Sequence, residues 1–136
     1  MSNVDLSKLH VLVVDDEVFV RDLLLRLLRQ LGTGRISTAQ NGLKALAAVQ
    51  DAEPNVDVIL LDLHMPRMGG IDFIRRMKSD FMVSHAGTPI IVISGNSDKS
   101  AMDSVRELGV SLFLLKPVTP EQLETRINAT MRNRYT

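Results

Sequence analysis

The chain of 136 residues contains no cysteine and no tryptophan. Disulfides, thiolate metal sites and cysteine nucleophiles are therefore excluded, and the absence agrees with a cytoplasmic location. One tyrosine and four phenylalanines are too few for a platform that stacks nucleic-acid bases. Charge of one sign is missing too. Sixteen basic side chains balance 16 acidic ones, so neither direct nucleic-acid binding nor attraction to an anionic membrane is expected. No apolar run is long enough to cross a bilayer. Residues 1–10 include Asp5, lack a sustained apolar core and do not read as a signal peptide. The common nucleotide signatures, GxxxxGK[ST] and GxGxxG, are absent, as is the G-x-S-x-G nucleophile elbow.

What is present is an alternation of short apolar runs with longer amphipathic ones. Val11-Leu12-Val13-Val14 reads as a strand buried on both faces. Residues 19–31 follow as a helix with Leu24, Leu27, Leu28 and Leu31 at helical spacing, stopped by Gly32 and Gly34. A weaker strand over 36–39 and the Asn41-Gly42 turn lead to a second helix carrying Leu43, Leu46, Ala47 and Val49, which ends near Glu53-Pro54. Residues 56–62 form a strong buried strand, and a loop over 64–70 precedes a third helix with Ile71, Phe73, Ile74 and Met77. The stretch 79–88 reads as loop. A fourth strand spans 89–94, a helix 98–108, and a fifth strand 110–116. Thr119-Pro120-Glu121-Gln122 starts the last helix, with Thr as N-cap, Pro at the first helical position and Gln closing a capping box. That helix carries Leu123, Ile127 and Met131 and frays at Asn133. Five strands alternating with five helices predict one doubly wound α/β domain with a parallel sheet.

Ligands of such sheets bind beyond the carboxyl ends of the strands. Asp15 and Asp16 follow the first strand, Asp62 ends the third, Ser94 closes the fourth and Lys116 the fifth. Each has an ordinary explanation taken singly: acids ahead of a helix complement its dipole, and a lysine snorkels. Gathered on one edge, they predict a site. Three carboxylates repel each other unless neutralised. Lys116 supplies one positive charge, and an all-oxygen donor set favours Mg²⁺ for the remainder. A carboxylate beside Mg²⁺, an ammonium and a hydroxyl is suited to accept a phosphoryl group.

These marks, together with Met65-Pro66 and Gly70 in the following loop and Pro117 after Lys116, resemble the response-regulator receiver domain of two-component signalling (the CheY-like family). The likeness covers roughly residues 8–132, within a single domain spanning 1–136. It implies a flavodoxin-like three-layer (βα)5 sandwich with strand order 2-1-3-4-5. It further implies that Asp62 attacks a phosphohistidine and becomes an aspartyl phosphate. Asp16 and Asp62 would ligate Mg²⁺ directly, Asp15 would help hold it, and the backbone carbonyl of His64 would be the third protein ligand. Lys116 would pair with a phosphoryl oxygen, Ser94 would move to bond it, and Phe113 would be the switch aromatic. The Lys116–Pro117 peptide would be cis. This sequence has Ser94 for the commoner Thr, Phe113 for the commoner Tyr, and Gly69 where many relatives carry Asp.

The function expected is a signalling switch rather than a turnover enzyme. A sensor histidine kinase or histidine phosphotransfer protein would donate the phosphoryl group. The surface of the fourth helix, fifth strand and fifth helix would then bind an effector or a second copy, through residues such as Asp103, Arg106, Glu107, Phe113, Val118 and Gln122. Alternatives are a phosphorelay shuttle and the N-terminal receiver piece of a longer regulator. A phosphatase with an aspartyl-phosphate intermediate is disfavoured, because that chemistry uses a second acid two residues after the nucleophile and position 64 is His. Arg126, Arg132 and Arg134 read as a solvated basic face, and Met77, Met102 and Met131 as packing.

Overall fold

The apolar runs at 10–14, 58–62 and 90–94 are buried along their whole length and need cover on both faces, which a parallel sheet between helices provides. The structure is a computed structural model describing residues 4–95 and 99–134. In chain order the elements are β1 (His10–Val14), α1 (Val18–Gln30), β2 (Arg35–Ala39), α2 (Gly42–Asp51), β3 (Val58–Asp62), α3 (Gly70–Met77), β4 (Ile90–Ser94), α4 (Lys99–Glu107), β5 (Leu112–Leu115) and α5 (Pro120–Arg134). The strands lie in the order β2-β1-β3-β4-β5, every neighbouring pair parallel. This is the predicted flavodoxin-like order.

Alternation along the strands sorts the core into two layers. Leu12, Val14, Ile59, Leu61 and Val92 point to one face and pack with Ala45, Leu46 and Val49 of α2, Phe73, Ile74 and Met77 of α3, and Val105 of α4. Val11, Val13, Val58, Leu60, Ile91 and Ile93 point to the other and meet Leu24, Leu27 and Leu28 of α1 and Leu123, Ile127 and Met131 of α5. Two helices on one face and three on the other complete the three layers.

Local signals explain the helix ends. The Asn41 side chain accepts from the Lys44 N–H at 2.9 Å, capping α2. At α5 the capping box is reciprocal: the Gln122 N–H donates to Thr119 Oγ1 and the Thr119 N–H to Gln122 Oε1, both at 3.2 Å. Gly32 and Gly109, beyond α1 and α4, have φ of 81° and 90°, the left-handed region that glycine tolerates.

Several expectations need correction. The stretch read as loop contains a 3-10 helix, Asp80–His85, with a kink at Met82. Met82 is buried beneath it, so one apolar anchor holds a turn that lacks the periodicity of a longer helix. Strand β5 is shorter than its apolar run, because Val110 is taken up by a backbone bond from its N–H to the Val105 carbonyl at 3.2 Å. Leu43 of α2 is exposed, and Met102 of α4 is only half-buried, unlike Met77 and Met131. The expected helix start at Asp98 lies outside the described residues.

These contributions separate in size. Leu28, fully buried, should lose about 2–5 kcal/mol of stability as Leu28→Ala. Thr119→Ala should lose about 1 kcal/mol. Urea denaturation measures both, and equal losses would contradict the assignment of one to core and the other to a cap.

Candidate functional site

Register alone brings the acidic residues together. Val14 of β1 pairs with Leu61 of β3, so the next residues, Asp15 and Asp62, leave adjacent strand ends side by side. This is where the strand order reverses, the position at which open α/β sheets bind ligands. On the other flank Asp62 pairs with Ile93 and Ser94 with Leu115, which delivers Lys116 to the same edge.

Asp15 is held from three directions. Its N–H donates to the Ala39 carbonyl at 3.1 Å, its Oδ1 accepts from the Glu17 N–H at 2.9 Å, and its own carbonyl accepts from Arg21 Nη1 at 2.8 Å. Asp62 accepts from the His64 N–H at 3.3 Å. Lys116 Nζ lies 3.3 Å from Asp15 Oδ2 and 3.9 Å from Asp62 Oδ1. Carboxylate oxygens of Asp15, Asp16 and Asp62 all lie within 4.8 Å of one another. Asp15 and Asp62 are buried whereas Asp16 is exposed, so the cluster opens to solvent on the Asp16 side.

The electrostatics follow from this crowding. Burial, and then the charge of Asp15, push the Asp62 carboxyl up from 3.8 to about 6; Lys116 and the His64 N–H pull against that, and Asp16 adds to it. One ammonium thus leaves two negative charges uncompensated once all three acids ionise. A hard divalent cation with oxygen ligands fits that deficit. The cluster is a site that could hold a metal.

Ser94 is buried at the end of β4, and its carbonyl accepts the Lys116 N–H at 2.9 Å. The Lys116–Pro117 peptide is cis. Phe113 is not part of the acidic cluster; it pairs with Val92 of β4 and packs against the core layer that includes Val105 of α4. The Arg106 guanidinium carbon sits 5.1 Å from its ring centroid, and Arg126 Nε donates to its carbonyl at 3.2 Å.

Comparison with known proteins agrees with this geometry. The sequence matches the response regulator receiver domain over residues 11–128. The chain belongs to the response-regulator receiver family. This receiver is 32% identical over 128 residues to the DNA-binding response regulator MtrA of Mycobacterium tuberculosis, which covers 94% of this chain and 53% of MtrA. It is 28% identical over 123 residues to the chemotaxis protein CheY1 of Helicobacter pylori, 90% of this chain and 97% of that protein. Among solved structures, Vibrio cholerae CheY4 superposes with a TM-score of 0.80 at 29% identity, covering 90% of this receiver and 98% of CheY4. The CheX–CheY–BeF3–Mg²⁺ complex from Borrelia burgdorferi matches with a TM-score of 0.79 at 27% identity, covering 90% of this receiver and 89% of that chain. The chain spans about half the length of MtrA. Among the described residues, no helix of the receiver is long and apolar enough to cross a membrane.

Sequence reading missed the supporting contacts. Arg21, one turn into α1, bonds the Asp15 carbonyl, a contact not anticipated from the sequence. Arg126 is exposed as expected of a solvated face, yet it also ties α5 to β5. The one signal for Arg21 was its position six residues after Asp15 on a helix that must start at the site.

The raised pKa of Asp62 makes a signed prediction for the metal-free receiver. Between about pH 4 and pH 6 Asp62 holds its proton more in the folded state than in the unfolded chain, so its contribution to stability falls as pH rises through that window. With chelator present, the urea midpoint should be higher at pH 5 than at pH 7. Asp62→Asn should flatten the dependence. A wild-type midpoint that climbs from pH 5 to pH 7 would contradict the electrostatics described.

Proposed function

We propose that the receiver takes a phosphoryl group on Asp62 from a phosphohistidine of a sensor histidine kinase or histidine phosphotransfer protein, and that this changes which partner it binds. The observation carrying the reading is the approach of the Lys116 ammonium to both buried carboxylates, Asp15 and Asp62, at the carboxyl edge of the sheet. An ionised Asp62 oxygen attacks phosphorus, a C–O–P linkage forms, and the P–N bond breaks. The imidazole nitrogen departs with its electron pair and then takes a proton. Lys116 exchanges part of its contact with the carboxylates for a phosphoryl oxygen. Ser94 supplies a hydroxyl from the end of β4 to a second oxygen.

Asp15, Asp16, Asp62 and the backbone carbonyl of His64 are the groups that would hold Mg²⁺, which when bound neutralises charge on the phosphoryl oxygens. The Borrelia burgdorferi complex contains Mg²⁺ and BeF3 with a CheY of the same fold, which supports this choice of cation. Position 64 presents an exposed histidine rather than a second acid, so we assign the chain a switching role and not a phosphatase turnover. It would act in the cytoplasm.

Phosphorylation adds charge and acceptor oxygens at one end of β4 and β5. The output surface we assign is α4, β5 and α5, where Phe113 is already tied to Arg106 and Arg126. An effector or a second copy would dock there. The half-length match to MtrA also favours a second reading, in which this receiver is the N-terminal part of a longer regulator.

Asp62→Asn should reduce uptake of phosphoryl from acetyl phosphate and Mg²⁺ to background, read by mass spectrometry of the intact chain. Labelling of that variant at the wild-type rate would move the acceptor elsewhere. Lys116→Ala should still bind Mg²⁺ yet show no phosphorylation-dependent gain in partner affinity. A gain equal to wild type would remove the role given to that lysine.

A further inference from the structure

The loop after β3 carries the site, and its backbone is unusual. Arg67 and Met68 have φ of 51° and 73°, two successive side-chain-bearing residues in the left-handed region that L-residues adopt at a cost. Something must hold them there. The ends of the loop are closed by the Gly70 N–H donating to the Leu63 carbonyl at 2.9 Å. The middle is held from outside: the Gly42 N–H, at the start of α2, donates to the Met68 carbonyl at 3.1 Å.

That contact leaves no room for a side chain on α2. A Cβ on Gly42 would fall 2.6 Å from the Met68 carbonyl oxygen, 2.6 Å from its Cγ and 2.9 Å from its Cβ. Gly42 is itself buried. The turn that presents it is fixed by the buried Asn41, whose side chain caps the Lys44 N–H. By helix propensity alone, glycine is a poor choice for this position. The packing gives the reason it is there.

We propose that Gly42 is a positioning residue for the phosphoacceptor site: the first turn of α2 clamps Met68, and the clamp fixes the loop that supplies the His64 backbone to Asp62 and to the metal. The consequence for Mg²⁺ rests on the function proposed above. The clamp itself does not, since its geometry is present without metal. Gly42 touches neither Asp62 nor a phosphoryl donor and acts only through residues 63–70.

The test is Gly42→Ala in the full chain. Mg²⁺ alone is titrated by calorimetry, and the amide resonances of His64, Met68, Gly69 and Gly70 are followed with and without metal. A role confined to α2 predicts the same or greater stability and unchanged Mg²⁺ binding. The clamp predicts displaced loop amides even before metal is added, and Mg²⁺ affinity weakened roughly tenfold, the usual size for a support behind a metal ligand. Wild-type affinity with unmoved loop amides in Gly42→Ala would overturn the proposal. Should Gly42→Ala fail to fold, exchange of the wild-type Gly42 amide decides: it should slow several-fold on saturation with Mg²⁺ as the loop tightens, and an unchanged rate would overturn the clamp. A wild-type chain that binds Mg²⁺ but takes up no phosphoryl group would remove the proposed function and leave the clamp supported by the metal titration.

Discussion

The parallel register of β1 and β3 forces two buried carboxylates to share one ammonium. Asp15 and Asp62 follow paired residues, so their separation is set by backbone hydrogen bonds that the whole sheet maintains. Neither can retreat to solvent without undoing a strand end. The fold therefore holds Asp62 where its burial first, and the charge of Asp15 second, raise its pKa. Lys116, reaching in from β5 at 3.3 and 3.9 Å, relieves part of it. A cation and a phosphoryl group are further ways to rebalance the same charges. Under the proposed function, phosphorylation would draw on this charge imbalance, which the paired strands maintain.

Lys116 also links the site to the α4–β5–α5 face proposed as the output surface. Its N–H bonds the Ser94 carbonyl, so β4 and β5 present their two polar groups as one unit. Three residues before it, Phe113 is gripped by Arg106 of α4 and Arg126 of α5. Phe113 thus connects β5 to both helices through an arginine each. The contact of Arg106 is with a ring face and that of Arg126 with a carbonyl. The missing tyrosine hydroxyl at position 113 removes a possible hydrogen bond but leaves the ring that Arg106 covers.

The fold was legible in the sequence because each element obeyed its local rule. The strands were short apolar runs, weaker at β2, the helices had apolar stripes, and Thr119 and Gln122 formed the box that their spacing announced. The cluster of Asp15, Asp16, Asp62 and Lys116 was legible because strand ends on a parallel sheet are forced onto one edge. The failures have equally local causes. Leu43 fitted the helical period of α2 yet lies on its exposed side, since period alone does not say how wide the buried stripe is. The segment Asp80–His85 is too short for periodicity to register. The left-handed backbone at Arg67 and Met68 left no trace, because the glycines that would signal it stand at 69 and 70, with ordinary negative φ at Gly69. Contacts between elements, such as Arg21 with Asp15 or Gly42 with Met68, depend on packing distances that a pattern along one chain does not encode.

The most direct measurement of the central claim is chemical localisation of the phosphoryl group. The receiver is treated with acetyl phosphate and Mg²⁺, reduced with borohydride so that an acyl phosphate becomes homoserine, digested and sequenced by mass spectrometry. The account predicts homoserine at position 62 and unmodified aspartate at 15 and 16. Homoserine at 15 or 16, or none at any of the three after full treatment, would contradict it.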